Sequence, residues 1–548
     1  MNELSGSNGG KPHPAVPHLC GQVRRGTISK REFLRTVALL GVAVPSAEAF
    51  LASAVGSDGL SLGSPAQAGE ARKSGGILRF ATTVGEIADP ASVGSIEAAA
   101  MFRNSLEHLV ELDADNVTRP RLAESWRPNE ELTAWRFKLR HGVKWTNGDE
   151  FTTEDVEFNF RRWTSPAASS ALNAAFDRLA SFERHNPFEF TLHLDAPMLA
   201  VPESLSLSNA AMLHRRFEEE GGNWTRKPIG TGPFVLTGYA AASSCKFRRH
   251  SSYWGKPACL DGIDYLDIGP DTGAQLTALG AGRVDALFRV STSDLDAVSR
   301  LPGVELLRAR AANTLCIRMK PSEKPFDDLR VRRAVVLAAD HQKMLDAAIR
   351  GHGVLAENHH VAPCHPEYAK LPPLKRDVAR ARELLRQAGY ADGLDLELNL
   401  GNTQGVFEQE TGRVLSESLA EAGIRLKLNV LTPAQFWPIW MKVPFGMTYW
   451  AHRPLGVTAL DLAYRSGAVW NESGFSDPDF DKALDQAMAL VDPRQRAVPI
   501  AACEKILQDA CMMVQPFWLD EMTAAAGKVR GLRAHPTDYY DMREVWLG

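Results

Sequence analysis

The stretch from residue 394 to 431 reads LDLELNLGNTQGVFEQETGRVLSESLAEAGIRLKLNVL. Its first part, LDLELNL (394–400), places leucine at every second position, the period of a strand with one apolar face. TGRVLSESLAEAGI changes to a helical period and is closed by Gly423, and RLKLNVL (425–431) alternates again. Strand, helix and strand joined by short links make a βαβ unit, which requires parallel pairing. The expected fold class is therefore α/β.

The flanking segments agree. RDVARARELLRQAGY reads as a helix that starts at Asp377, buries Val378, Ala381, Leu384 and Leu385, and stops at Gly389. FDDLRVRRAVVLAADHQKML reads as another, with Asp327 as cap and Val331, Val335 and Ala338 on one face. Nearer the N-terminus, GGILRFAT reads as a first buried strand. AWRFKLRHGVKWTNGDEF alternates Trp135, Phe137 and Leu139 up to a turn at Asn147-Gly148. TTEDVEFNFRRW then opens a helix with a capping box from Thr152 to Asp155. No repeat of 20–50 residues is visible.

The chain has 548 residues, room for two or more globular units, with 44% hydrophobic and 23% charged residues. A net charge of −4 without a basic block argues against nucleic acid as a partner. Before the folded part, Arg24, Arg25, Lys30, Arg31 and Arg35 precede a short apolar run, Val37 to Val44. A-x-A sites follow at Ala47–Ala49 and Ala66–Ala68. This order is that of an export signal, so residues 1–68 are expected to be signal and linker, and the mature chain to begin near Gly69. SKREFLR resembles a twin-arginine motif with Lys30 at the first arginine, which leaves the general secretory route open as well. An oxidising compartment permits disulfides, and Cys245 with Cys259 is the favoured pair against free buried thiols.

Nucleophile elbows, phosphate loops, zincin helices and paired CxxC motifs are missing, so catalysis is not expected and no cofactor is implied. One stretch, GHGVLAENHHVAPCHPEYA, gathers His352, His359, His360, Cys364 and His365. These are zinc, copper or nickel ligand types, but the spacing fits no closed zinc pattern, and a His-rich surface loop is the preferred reading.

Several blocks together resemble the extracellular solute-binding proteins of family 5, receptors of dipeptide, oligopeptide and nickel ABC importers. They run in the family's order: LAESWRPNEELTAWRFKLRHGVKWTNGDEFTTEDVEFNFRRW (122–163), PIGTGPFVL (228–236), SSYWGKPACLDGIDY (251–265), ALGAGRVDAL (278–287), KPFDDLRVRRAVVLAAD (324–340) and ARELLRQAGY (381–390). The resemblance implies a two-lobe periplasmic-binding-protein fold with a hinge. Lobe I would be 75–310 with a subdomain inserted at about 112–198, lobe II 311–519, and 520–548 the return to lobe I. It also implies a periplasmic, monomeric receptor that closes on a small-molecule or peptide ligand and delivers it to an ABC permease in the inner membrane.

The resemblance also draws attention to YWAHRPLG (449–456). Family members commonly have a tryptophan at the position of Trp450, and peptide binders an aspartate three residues later that pairs with the peptide's α-ammonium. Here that position is Arg453, a reversal of charge. A guanidinium suits a carboxylate or phosphate. Trp450 and Tyr449 are thus expected to stack on a ligand, and Arg453 and His452 to hold an anionic or strongly polar group. Asn471 and Glu472 of WNES are expected to add hydrogen bonds. In the competing reading Asp461 or Glu472 neutralises Arg453 inside the protein. Met101 and Phe102 are candidates for an opposite wall, with the core as their alternative. Peptide or peptide-like ligands rank first, and anionic solutes such as opines or sugar conjugates next. A metal or metallophore receptor and an exported enzyme rank below them.

Overall fold

The computed structural model describes residues 19–20, 22–23, 30–39, 72–165, 171–372 and 375–548. The A-x-A sites and most of the expected export signal lie outside these residues; within that segment Lys30–Leu39 is helical. No helix among the described residues is long and apolar enough to cross a membrane.

The chain divides into two compact units. One takes the described residues up to Val290, then Ala297–Ala309 and Met522–Gly548; the other takes Ser291–Asp296 and Arg310–Glu521. Two long strands, Val304–Met319 and Phe517–Ala526, carry the chain from one unit into the other.

In the first unit Ile77–Thr82 pairs in parallel with Gly262–Asp267 and with Ala286–Leu287. An antiparallel run through Ser244–Arg249 to Phe234–Ala240 continues the sheet. A separate four-stranded antiparallel sheet is built from Ala123–Pro128, Ala134–Leu139, Glu189–Leu194 and Leu179–Asn186. Trp135, Phe137 and Leu139 are all buried, as their alternation requires. The capping box forms: Thr152 and Asp155 satisfy each other's backbone amides at the start of Thr153–Trp163. Cys245 and Cys259 are free thiols, so the favoured disulfide is not made. Cys245 lies buried in the strand Ser244–Arg249, and Cys259 belongs to the segment before Gly262–Asp267.

The second unit contains the βαβ unit. Leu394–Leu400 pairs in parallel with Ile424–Val430, and the helix Phe407–Ala420 connects them. Leu394–Leu400 also pairs in parallel with Phe445–Trp450, which runs antiparallel to Val304–Met319. Asp377 caps the helix Val378–Gln387 as expected, whereas Asp328, not Asp327, caps Leu329–Ala338.

The register between Phe445–Trp450 and Val304–Met319 sorts the side chains into two layers. Leu315, Ile317 and Met319, with Phe445 and Met447, enter the apolar core with the helices. The alternate residues, Thr314, Cys316 and Arg318 opposite Trp450, Thr448 and Gly446, form the other face. That face is also buried, but its filling is polar.

Candidate functional site

Arg318 and Glu472 are the charged centre of the polar layer. Arg318 Nε donates to Glu472 Oε2 at 3.2 Å, and both side chains are buried. The same oxygen accepts from Thr448 Oγ1 at 2.6 Å, and Glu472 Oε1 accepts from the Trp450 indole N–H at 2.8 Å. Burial pushes the Glu472 pKa up, against the opposing pull of Arg318, Thr448 and Trp450. Arg318 also donates to the carbonyls of Val443 and Trp440. Trp450 is 5% exposed and has His360 and Trp470 edge-on at ring distances of 5.1 and 6.1 Å.

Arg453 leaves this strand three residues later. Its Nη1 donates to the carbonyl of His452 at 3.3 Å. Among the described residues no carboxylate lies within ion-pair reach of it. Both acids nominated by the sequence are engaged elsewhere: Asp461 with Arg465, which also holds Asp485, and Glu472 with Arg318. Burial alone lowers the Arg453 pKa, with no acidic neighbour raising it. The guanidinium has five N–H donors, so most of its capacity is uncommitted.

The other nominated residues take different places. Tyr449 packs on the apolar core, the opposite side of the strand from Trp450, and its hydroxyl lies 3.4 Å from Glu521. Adjacent strand residues cannot share a face, which corrects the expectation that both rings stack on one ligand. His452 Nδ1 accepts from the Ala312 amide at 2.9 Å, while its own amide donates to Asn313 Oδ1 at 2.6 Å. These bonds tie the turn to the Val304–Met319 strand. Asn471 donates to the carbonyls of Arg465 and Phe475 and accepts from Ser473, so it organises its own loop. Met101 and Phe102, at 0% exposure, belong to the core of the first unit and line no surface.

The histidine-rich stretch is not the expected surface loop. His359, His360 and His365 are buried, and each has a hydrogen-bonding task. His359 Nε2 lies 3.1 Å from Glu357, and His360 Nδ1 lies 2.9 Å from the Tyr464 hydroxyl. His365 Nδ1 accepts from the Ala362 amide, which places its proton on Nε2, 2.9 Å from the Arg453 carbonyl. Among the described residues no three His, Cys, Asp or Glu side chains gather as a metal-holding group. Cys316 lies 3.9 Å from His360 Nδ1, a pairing the sequence did not reveal. Burial pushes the thiol pKa up and the His360 pKa down to about 3, the reverse of what a thiolate–imidazolium pair needs.

Sequence reasoning missed Arg318 and Tyr464, and it read His360 as part of a surface loop. The signal for Arg318 was present: it is the single charge in the strand-like segment NTLCIRM. Such a residue requires a buried partner.

The profile described as bacterial extracellular solute-binding proteins, family 5, middle region, matches residues 117–466. The chain belongs to this family. It is 30% identical over 341 residues to a di/tripeptide-binding protein 1 of Pseudomonas aeruginosa, covering 56% of this chain and 62% of that one. It is 24% identical over 466 residues to the glutathione-binding protein GsiB of Escherichia coli K12, covering 80% of this chain and 88% of that one. Among solved structures, the PBP AgaA of A. tumefacien R10 in complex with agropinic acid superposes with a TM-score of 0.75 at 21% identity, over 86% of this chain and 99% of that one. The fold is thus that of the periplasmic binding proteins.

Proposed function

We propose that this chain is the exported receptor of an ABC importer, and that it captures a peptide-like solute through an anionic group held by Arg453. The observation that carries the reading is the half-buried guanidinium with no carboxylate among the described residues in ion-pair reach. A partly buried cation without a counter-ion carries a desolvation cost, which a bound carboxylate or phosphate offsets. An α-ammonium at the same place would meet like charge. The named ligands of the relatives fit this chemistry. Glutathione is a peptide with two carboxylates, and agropinic acid is itself an acid. Trp450 supplies the apolar wall beside the anion. The receptor works as a monomer in the periplasm and hands its ligand to an inner-membrane permease.

A thermal-shift panel tests the reading on the purified chain. The probes are glutathione, trialanine, N-acetyl-trialanine, N-acetyl-trialanine amide, an opine, a sugar phosphate, nickel and zinc. A probe at one hundred times its dissociation constant adds about 2.7 kcal/mol of stability, well within detection. The carboxylate-bearing probes are expected to raise the melting temperature and the neutral amide is not. A shift confined to free-amine peptides regardless of their carboxylates would overturn the assignment of Arg453, and a shift confined to the metals would overturn the solute class.

A further inference from the structure

The histidine-rich stretch singled out in the sequence is not absorbed by ligand contact, yet it touches the turn that carries Arg453 at two points. The turn runs from the end of the Phe445–Trp450 strand into the helix Gly456–Tyr464. That helix starts at Leu455 with no side-chain cap of its own. Its Val457 amide instead donates to Glu367 Oε1 at 3.1 Å, a carboxylate ninety residues away in sequence. At the other end of the turn, the Arg453 carbonyl accepts from His365 Nε2 at 2.9 Å. The amide of Ala362 occupies His365 Nδ1 at 3.0 Å and fixes the tautomer that makes His365 a donor.

The approach is close enough to restrict the sequence. A Cβ on Gly456 would lie 2.8 Å from Val361 Cγ1, 3.2 Å from His365 Nδ1 and 3.3 Å from Glu367 Oε1. Glu367 is itself anchored. Its Oε2 lies 3.5 Å from Arg496 Nη2, and both side chains are at 0% exposure. Arg496 is tied in turn to the carbonyls of Leu490 and Val491. The turn is thus linked through His365 and Glu367 to Arg496 of the Pro493–Ala510 helix.

We infer that His365 and Glu367 are positioning residues, which hold the Arg453–Val457 turn so that the guanidinium is presented to an anion in one orientation. The inference rests on the reading of Arg453 given above. Its physical basis is preorganisation: a charged group held by locked neighbours loses less freedom on binding than one on a mobile loop.

The test uses the full chain with His365→Leu, His365→Gln, Glu367→Leu and Arg453→Ala. Two readouts are taken. One is hydrogen exchange of the 451–457 amides without ligand. The other is the ratio of affinities, by calorimetry, for N-acetyl-trialanine over its C-terminal amide. His365→Leu is expected to speed exchange of the turn at least ten-fold and to cut the ratio at least ten-fold. His365→Gln, which retains an N–H donor, is expected to recover the ratio to within about three-fold. Glu367→Leu is expected to release the Val457 amide specifically; should that variant fail to fold, the His365 pair decides. A merely structural histidine would lower affinity for both probes equally and leave the ratio alone, which overturns the inference. If the wild type does not distinguish the probes, the anion reading of Arg453 falls. Exchange alone then decides the positioning, and wild-type protection in His365→Leu overturns it.

Discussion

Arg318 and Glu472 form a buried ion pair, Nε to Oε2 at 3.2 Å, on the strand face that carries Trp450. Each member is engaged further, Glu472 by Thr448 and Trp450, Arg318 by the carbonyls of Val443 and Trp440. The pair therefore links two loops to the strand below them, and it removes Glu472 as a counter-ion for Arg453.

Truncating one member should be costly. Arg318→Met is expected to destabilise the protein by about 3–5 kcal/mol, because Glu472 is left buried without its cation. Urea unfolding measures this. A loss below about 1 kcal/mol would mean that water reaches the pair.

Two buried groups make opposite contributions to the pH dependence. Burial pushes the His360 pKa down to about 3 from the ordinary 6.5. The unfolded chain therefore binds a proton that the fold refuses between those values. Stability from the neutral ring is present above about 6.5 and lost as pH falls toward 3. His360→Gln should flatten this acid limb in urea titrations between pH 4 and 7, by at most about 1.4 kcal/mol per pH unit. An unchanged slope would contradict the assignment.

Glu504 acts with the opposite sign. It is fully buried near His359, and burial lifts its pKa to about 9 from the ordinary 4.5. The fold keeps a proton that the unfolded chain has released, so its contribution is full below 4.5 and is lost as pH rises through 9. Glu504→Gln should therefore gain stability relative to wild type between about pH 5 and pH 8.5. A constant difference over that range would show that Glu504 ionises normally.

Gly456→Ala is expected to cost about 1–3 kcal/mol by overpacking, since the added methyl meets Val361 at 2.8 Å. Chemical denaturation reads the loss, and a neutral substitution would mean that the turn can move away from the histidine-rich segment.

The fold was legible where periodicity is local. The leucines of 394–400, the helix closed by Gly423 and the Thr152–Asp155 capping box depend on neighbours in sequence, and each forms as expected. The site was legible only in part. The resemblance drew attention to the Trp450–Arg453 turn, but Tyr449 was grouped with Trp450 although a period of two separates their faces. Asp461 was proposed as a partner of Arg453 from its proximity in sequence. It lies on the Gly456–Tyr464 helix one turn before Arg465, and an i,i+4 pair takes it first. The histidines read as a surface loop because Gly and Pro surround them. Their burial comes from partners some 90–150 residues away, such as Arg453, Tyr464 and Gln515. Composition of the segment carries no trace of these.

The central claim is that Arg453 holds an anion. The most direct measurement is calorimetric titration of wild type and Arg453→Ala with N-acetyl-trialanine and with its C-terminal amide. The account predicts that wild type prefers the carboxylate at least ten-fold and that Arg453→Ala abolishes the preference while leaving affinity for the amide within a few-fold. Equal affinity of wild type and Arg453→Ala for the carboxylate probe would contradict it.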